Sequence, residues 1–124
     1  MNEFEALVFD VGQGSAILVR TATHTLLFDA GARYRSGYDV GERVLLPYLL
    51  RNQTPLNRAV LSHADTDHVG GATALMASPA ARVADVLATF PATDLPYPLA
   101  GPVPSWTACQ AGVPWVWDGV LYEV

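Results

Sequence analysis

The chain has 124 residues, which suits one domain, and 51% of them are hydrophobic, enough to build a core. Charged residues make up 15%, the net charge is −5 and every basic residue is arginine, so the composition excludes wholesale disorder and disfavours a broad basic face for nucleic acid. The longest apolar run, residues 44–50, is far shorter than the roughly 20 residues that span a bilayer. With acidic residues at the N-terminus in place of the basic ones of a signal peptide, we expect the chain itself to be soluble.

The first half of the chain predicts strands followed by a helix. Three short apolar runs indicate buried strands: residues 4–9, 16–19 and 25–28. Asp39 is suited to cap a helix, because Glu42 follows at the spacing of a capping box and apolar residues then recur at helical spacing. Pro47 lies inside this helix, so we expect it to kink the helix or end it early.

The second half continues the alternation. Residues 58–61 predict a buried strand, residues 69–76 a helix and residues 83–87 another strand, followed by a long proline-rich connection. Near the end, Asp118-Gly119 between two aromatic-rich runs predicts a β-hairpin. Strand, strand, strand, helix, strand, helix and further strands make a mixed α/β arrangement. Because the chain stops just after the hairpin turn, we expect residues 1–124 to be a partial domain.

Four candidate metal ligands lie within six residues of one another: His63, Asp65, Asp67 and His68. They follow an apolar strand, and their alternation places the first three on one side of an extended backbone, while the helix that follows turns His68 back towards them. Imidazole and carboxylate are good ligands for zinc or manganese, and a cation would relieve the repulsion between like side chains. The alternative is a polar loop in which Asp65 or Asp67 caps a helix and the histidines are solvated.

The segment Ser-His-Ala-Asp-Thr-Asp-His-Val-Gly-Gly, residues 62–71, resembles the H-x-H-x-D-H motif of the metallo-β-lactamase superfamily, with Asp65 in place of the second histidine. This variant resembles the C-terminal domain of ComEC/Rec2 competence proteins. Three further stretches agree with that family: residues 10–19, 36–49 and 115–120. The resemblance implies an α/β (α+β) fold of the metallo-β-lactamase type, an αββα sandwich. Only its first half would be present, because no histidine follows His68 to supply the superfamily's downstream ligands.

The resemblance also implies roles for individual residues around two divalent metal ions, zinc or manganese. His63 and Asp65 would bind the first ion and Asp67 and His68 the second, with Asp67 also orienting the attacking water as general base. Asp29 would hold a metal ligand or a loop in place without contacting the metal itself, although an ordinary aspartate in a turn explains it equally well. Substrate contacts are assigned to three further residues: Arg33, Arg35 and Gln13. Their alternatives are solvated charge for the arginines and a plain hairpin turn for the glutamine.

The function implied by the resemblance is a metal-dependent phosphodiesterase or nuclease acting on single-stranded DNA during uptake in natural transformation. The domain would be held at the inner membrane by the channel part of a parent protein, and no nucleotide cofactor is expected. One alternative is another hydrolase of the same fold, such as a lactonase, thioesterase or RNA-processing enzyme. The other is a truncated, non-catalytic domain that packs against a channel or partner. Because the downstream ligands are missing from this chain, its own activity is left open.

Overall fold

A six-stranded mixed sheet forms the centre of the protein, whose computed structural model describes residues 3–9, 14–79, 81–99, 101–110 and 112–123. The strands follow chain order across the sheet: β1 (Glu5–Val8), β2 (Ile17–Arg20), β3 (Thr25–Phe28), β4 (Arg58–Leu61), β5 (Asp85–Ala88) and β6 (Ser105–Ala108). The first three strands pair antiparallel, and β3 to β6 pair parallel. The carboxyl ends of four neighbouring strands therefore lie along one edge of the sheet.

Short helices pack against this sheet and close the core. A π-helical turn, Gly41–Leu45, runs directly into α1 (Leu46–Arg51), and two brief helices follow β4, α2 (Thr66–Val69) and α3 (Ala72–Ala77). One buried apolar cluster joins strand and helix side chains: Leu18, Leu27, Leu61 and Val86 from the sheet, with Leu45, Leu49, Val69 and Leu75 from the helices. None of the helices in the described ranges is long and apolar enough to cross a membrane.

The first helical segment differs from its sequence prediction at Pro47. The helix begins as expected, because the backbone N–H of Glu42 donates to Asp39 Oδ1 at 3.1 Å. Pro47, however, neither ends the helix nor breaks it, and α1 continues to Arg51. The wide π-helical turn comes first, so that the proline falls within the first two positions of α1, where a missing N–H costs little.

Two further elements differ from the sequence prediction. The single helix expected over residues 69–76 is divided into α2 and α3 at Gly70-Gly71, where the chain passes close to other backbone segments. The proline-rich connection contains a 3-10 turn, Ala92–Asp94, and is followed by β6, a strand that was not predicted. β6 has no continuous apolar run, and its structure comes from pairing with β5.

The predicted hairpin is present as β7 (Trp115–Trp117) and β8 (Val120–Tyr122). Asp118 and Gly119 form its turn with φ values of 52° and 78°, the left-handed pair that a type I′ turn needs. The Asp118 carboxylate accepts hydrogen bonds from Thr21 Oγ1 at 2.6 Å and from the Thr23 N–H at 2.7 Å. The hairpin is thereby fixed to the turn between β2 and β3, where the ring of His24 stacks on Trp117 at 4.7 Å.

The attachment of this hairpin is expected to weaken in acid. The hydrogen bonds from the Thr21 side chain and then from Thr23 hold the pKa of Asp118 well below its usual range. A lowered folded-state pKa adds stability that is complete above the unfolded pKa of roughly 4 and is lost as the pH falls below it. We therefore expect Asp118→Asn to lower the free energy of unfolding near neutral pH, and the difference from wild type to shrink below about pH 4.

Urea unfolding of both proteins across this pH range measures the difference. Asp94→Asn is the control, because Asp94 is exposed and its carboxylate accepts no hydrogen bond within the described part of the chain. A difference for Asp118→Asn that stays constant into acid would show that the carboxylate charge does not contribute to the attachment.

Candidate functional site

The histidine- and aspartate-rich motif lies at the carboxyl edge of the parallel strands. Phe28 at the end of β3 lies beside Val60 of β4, so the loops that follow these strands leave the sheet side by side. The first loop begins with Asp29 and the second with Ser62 and His63. This edge is where open sheets with parallel strands place ligand sites, because several loops converge on it.

Asp29 is fully buried beneath the motif, with a relative exposure of 0%, and its backbone is left-handed at φ 58°. Its Oδ1 accepts the Ser62 N–H at 2.8 Å, and its Oδ2 accepts the Ser62 hydroxyl at 2.6 Å. The same Oδ2 lies 2.9 Å from Nδ1 of His68. An ionised carboxylate only accepts hydrogen bonds, so this geometry favours the tautomer of His68 with the proton on Nδ1 and the lone pair on Nε2.

The two histidines of the motif lie next to each other. Their ring centroids are 5.2 Å apart and the ring planes are nearly perpendicular, at 80°. His63 is exposed, whereas the His68 side chain is 32% exposed and contacts the buried Asp29 carboxylate through Nδ1. Asp65 is exposed at the start of α2 and makes no side-chain capping hydrogen bond there, so helix capping does not account for its presence.

The backbone of the motif is fixed by two neighbouring segments. The carbonyl of His68 accepts the Ala30 N–H at 2.7 Å, and the carbonyl of Asp67 accepts the Ser15 N–H at 3.3 Å. Gly14, with φ +100°, approaches so closely that a Cβ there would overlap the Asp67 carbonyl oxygen. The loops after β3 and before β2 thus determine where Asp67 and His68 sit.

The described residues do not assemble a complete metal site. Within residues 3–9, 14–79, 81–99, 101–110 and 112–123, no three His, Cys, Asp or Glu side chains are grouped closely enough to hold one ion. A catalytic zinc site takes three protein ligands and a structural site four. The structure brings the two imidazoles together but does not gather all four side chains at one point. The assignment of His63, Asp65, Asp67 and His68 as ligands stays a prediction.

The residues assigned to substrate have different surroundings. Arg33 is exposed, and its guanidinium carbon lies 4.2 Å from the centroid of the Tyr97 ring. Arg35 is exposed in the loop that follows, and Gln13 lies outside the described residues. Two contacting residues were not singled out from the sequence, Ser62 and Tyr97. Ser62 directly precedes the motif, whereas nothing in the sequence indicates that Tyr97 contacts Arg33.

The sequence matches the family model described as the metallo-beta-lactamase superfamily over residues 9–97, which include β2 to β5 and the whole motif. The chain belongs to the metallo-β-lactamase superfamily. The predicted mixed α/β, metallo-β-lactamase-like fold is thereby confirmed. A solved metallo-β-lactamase with a HARLDQ motif from Cronobacter sakazakii superposes with a TM-score of 0.63 at 22% identity, covering 88% of this chain and 42% of that one.

Curated relatives of this metallo-β-lactamase-fold chain include proteins named for recombination and competence. It is 33% identical over 117 residues to recombination protein 2 of Haemophilus influenzae, covering 93% of this chain and 13% of that protein. It is 41% identical over 71 residues to competence protein ComA of Neisseria gonorrhoeae, covering 56% of this chain and 10% of that protein. The predicted resemblance to ComEC/Rec2 competence proteins is confirmed, and the chain spans only a small part of these relatives' length.

Proposed function

We propose that this chain, residues 1–124, is part of a metal-dependent hydrolase domain of the phosphodiesterase or nuclease type. Its proposed substrate is single-stranded DNA during uptake in natural transformation. The parent protein would hold the domain at the inner membrane through its channel part. The superfamily and the relatives' names support the proposal. The observation that carries it is the contact between buried Asp29 and His68.

Burying a carboxylate is costly unless hydrogen bonds compensate it. Asp29 is fully buried, and its three side-chain contacts go to Ser62 and to Nδ1 of His68. A solvated surface histidine has no need of such support. A metal-binding histidine needs such a contact, since a carboxylate hydrogen-bonded to one ring nitrogen fixes the ring orientation and makes the other nitrogen a better ligand.

This chain would contribute four ligands to the proposed centre: His63, Asp65, Asp67 and His68. Zinc and manganese suit this mixture of nitrogen and oxygen donors, and further donors are needed because the described residues do not complete a set. The Asp67 carboxylate is the proposed acceptor of a proton from the attacking water, and the Asp67 backbone is held by the hydrogen bond from the Ser15 N–H to its carbonyl. Arg33, Arg35 and Gln13 are the proposed phosphate contacts.

A second candidate function is a non-catalytic domain that packs against a channel or a partner chain. It is favoured by one observation, that no three donor side chains are grouped together in the part of the chain that the structure describes. Under this alternative, Asp29 would hold the loops together without preparing a ligand.

Metal binding by single-histidine variants tests the proposal. Titration with cobalt, followed by visible absorption, is expected to show imidazole ligation in the wild type. His63→Ala and His68→Ala should each weaken binding by at least about tenfold. His24→Ala is the matched control, because it removes the third histidine, which lies at the opposite edge of the sheet beside Trp117.

The outcomes separate the two candidates. If His63→Ala, His68→Ala and His24→Ala all bind cobalt as tightly as the wild type, the motif is not a metal site. Histidine-dependent metal binding by this chain, with no cleavage of a labelled oligothymidylate by the full-length parent protein in zinc or manganese, would support the non-catalytic alternative. Cleavage that disappears in Asp67→Asn while metal binding persists would support the hydrolase and the assigned base.

A further inference from the structure

The backbone of Arg33 is held beside the metal motif. The segment that follows β3 runs alongside α2, with a parallel bridge between Gly31 and Val69. At the end of this segment, a Cβ added to Gly70 would overlap the backbone nitrogen of Arg33. Arg33 therefore starts next to the junction of α2 and α3, and its backbone belongs to the same segment that hydrogen-bonds the His68 carbonyl through Ala30.

The Arg33 side chain is stacked on a ring from a distant segment. Its guanidinium carbon lies over the Tyr97 ring, 4.2 Å from the centroid. Tyr97 is itself attached to α3, because its carbonyl accepts the Thr73 hydroxyl at 2.6 Å. A guanidinium held over an aromatic ring by cation–π attraction uses none of its N–H donors on a carboxylate or a carbonyl, so they stay available to another group.

Those donors have no acceptor among the residues that the structure describes. In the ranges that the structure describes, no carboxylate pairs with Arg33 and no group accepts a hydrogen bond from its guanidinium. Arg58 shows the contrast, since it also stacks on an aromatic ring, Trp115 at 4.7 Å, but donates to both oxygens of Asp85 at 2.8 and 3.0 Å. Arg58 is a structural arginine, whereas Arg33 is oriented by a ring and its donors are unused by the described part of the chain.

We infer that Arg33 binds a phosphate of the nucleic-acid substrate through the free edge of its guanidinium, and that Tyr97 is the residue that positions it. The planar fork of arginine suits two phosphate oxygens at once. This assignment rests on the proposed function, which supplies the phosphodiester. Positioning by a ring applies to Arg33 alone of the two proposed phosphate contacts in this loop, because Arg35 has no aromatic contact within the described residues.

Binding of a fluorescent oligothymidylate, followed by anisotropy in EDTA at several salt concentrations, tests this pair without any contribution from metal. Arg33→Ala is expected to weaken binding about tenfold. It should also reduce the slope of log affinity against log salt by about 0.7, the value for one lost contact to single-stranded phosphate. Arg51→Ala is the matched control, because it removes an exposed arginine at the end of α1 that is not a proposed phosphate contact, and it should leave the affinity within about twofold of wild type.

Tyr97 is tested through its dependence on Arg33. Tyr97→Leu is expected to weaken binding about threefold in the wild type and to have no effect when Arg33 is already alanine. Tyr97→Phe keeps the ring and should bind like the wild type, which guards against a loss caused only by misfolding.

Three results would overturn the assignment: no oligothymidylate binding by the wild type, equal losses for the two arginine variants, or an effect of Tyr97→Leu that survives without Arg33. A failed cobalt titration with the expected arginine pattern would instead contradict the proposed metal chemistry alone.

Discussion

Replacing Gly71 by alanine is expected to lower the free energy of unfolding by about 3 kcal/mol. A Cβ at this position would overlap the carbonyl oxygen of Ala30 and lie 2.5 Å from the backbone nitrogen of Gly41. Both neighbours are buried backbone atoms, so neither can rotate away as a side chain would. The segment after β3, the π-helical turn and the start of α3 would have to move apart, and that opens the core.

Gly101→Ala is the control for this prediction, because a Cβ there would meet no atom within 4 Å and its backbone is not left-handed. Gly101→Ala should change the free energy of unfolding by no more than about 0.5 kcal/mol. Guanidinium unfolding of both variants with an unchanged denaturant slope gives the comparison. Similar losses for the two would indicate that glycine flexibility in general, and not the close approach at Gly71, determines the stability.

Elements that depend on local signals were predictable from the sequence. Strands β3 and β4 coincide with the predicted runs, residues 25–28 and 58–61, because a strand in the middle of a sheet is a continuous apolar stretch. The hairpin was predictable from Asp118-Gly119, since few residue pairs adopt two successive left-handed conformations easily.

Elements that depend on distant partners were not predictable. The division between α2 and α3 arises because Gly70 and Gly71 pass close to Arg33 and Gly41, contacts that no local pattern records. β6 is a strand because β5 offers it hydrogen bonds. Pro47 is tolerated because the preceding turn is π-helical, which its own neighbours in sequence do not indicate.

The candidate site divides in the same way. The residue types and spacing from His63 to His68 predict a metal-binding loop, because all four candidate ligands lie in one short segment. The grouping of the side chains depends on backbone angles and on other loops, and the structure joins His63 with His68 without grouping three donors. From the sequence, an ordinary aspartate in a turn explained Asp29 as well as a role in holding a ligand did. Only the fold places its carboxylate against His68.

Asp29→Asn is expected to reverse the protonation of the His68 ring. The Ser62 N–H can only donate, so the single amide oxygen of asparagine stays at the Oδ1 position. The amide NH₂ then faces Nδ1 of His68 and donates to it, which moves the ring proton to Nε2. A protonated Nε2 cannot bind metal, so the affinity for cobalt should fall about 10- to 100-fold.

Nitrogen chemical shifts of the His68 ring, recorded by NMR without metal, report the tautomer directly. Asp39→Asn is the control, since Asp39 is also a buried aspartate, but its carboxylate accepts a hydrogen bond from the Glu42 N–H and contacts no histidine among the described residues. It should change neither the tautomer nor the cobalt affinity, because asparagine caps helices about as well as aspartate. If His68 keeps its proton on Nδ1 in Asp29→Asn, the carboxylate does not select the tautomer. The buried contact would then stabilise the loop alone, and it would no longer support a ligand role for His68.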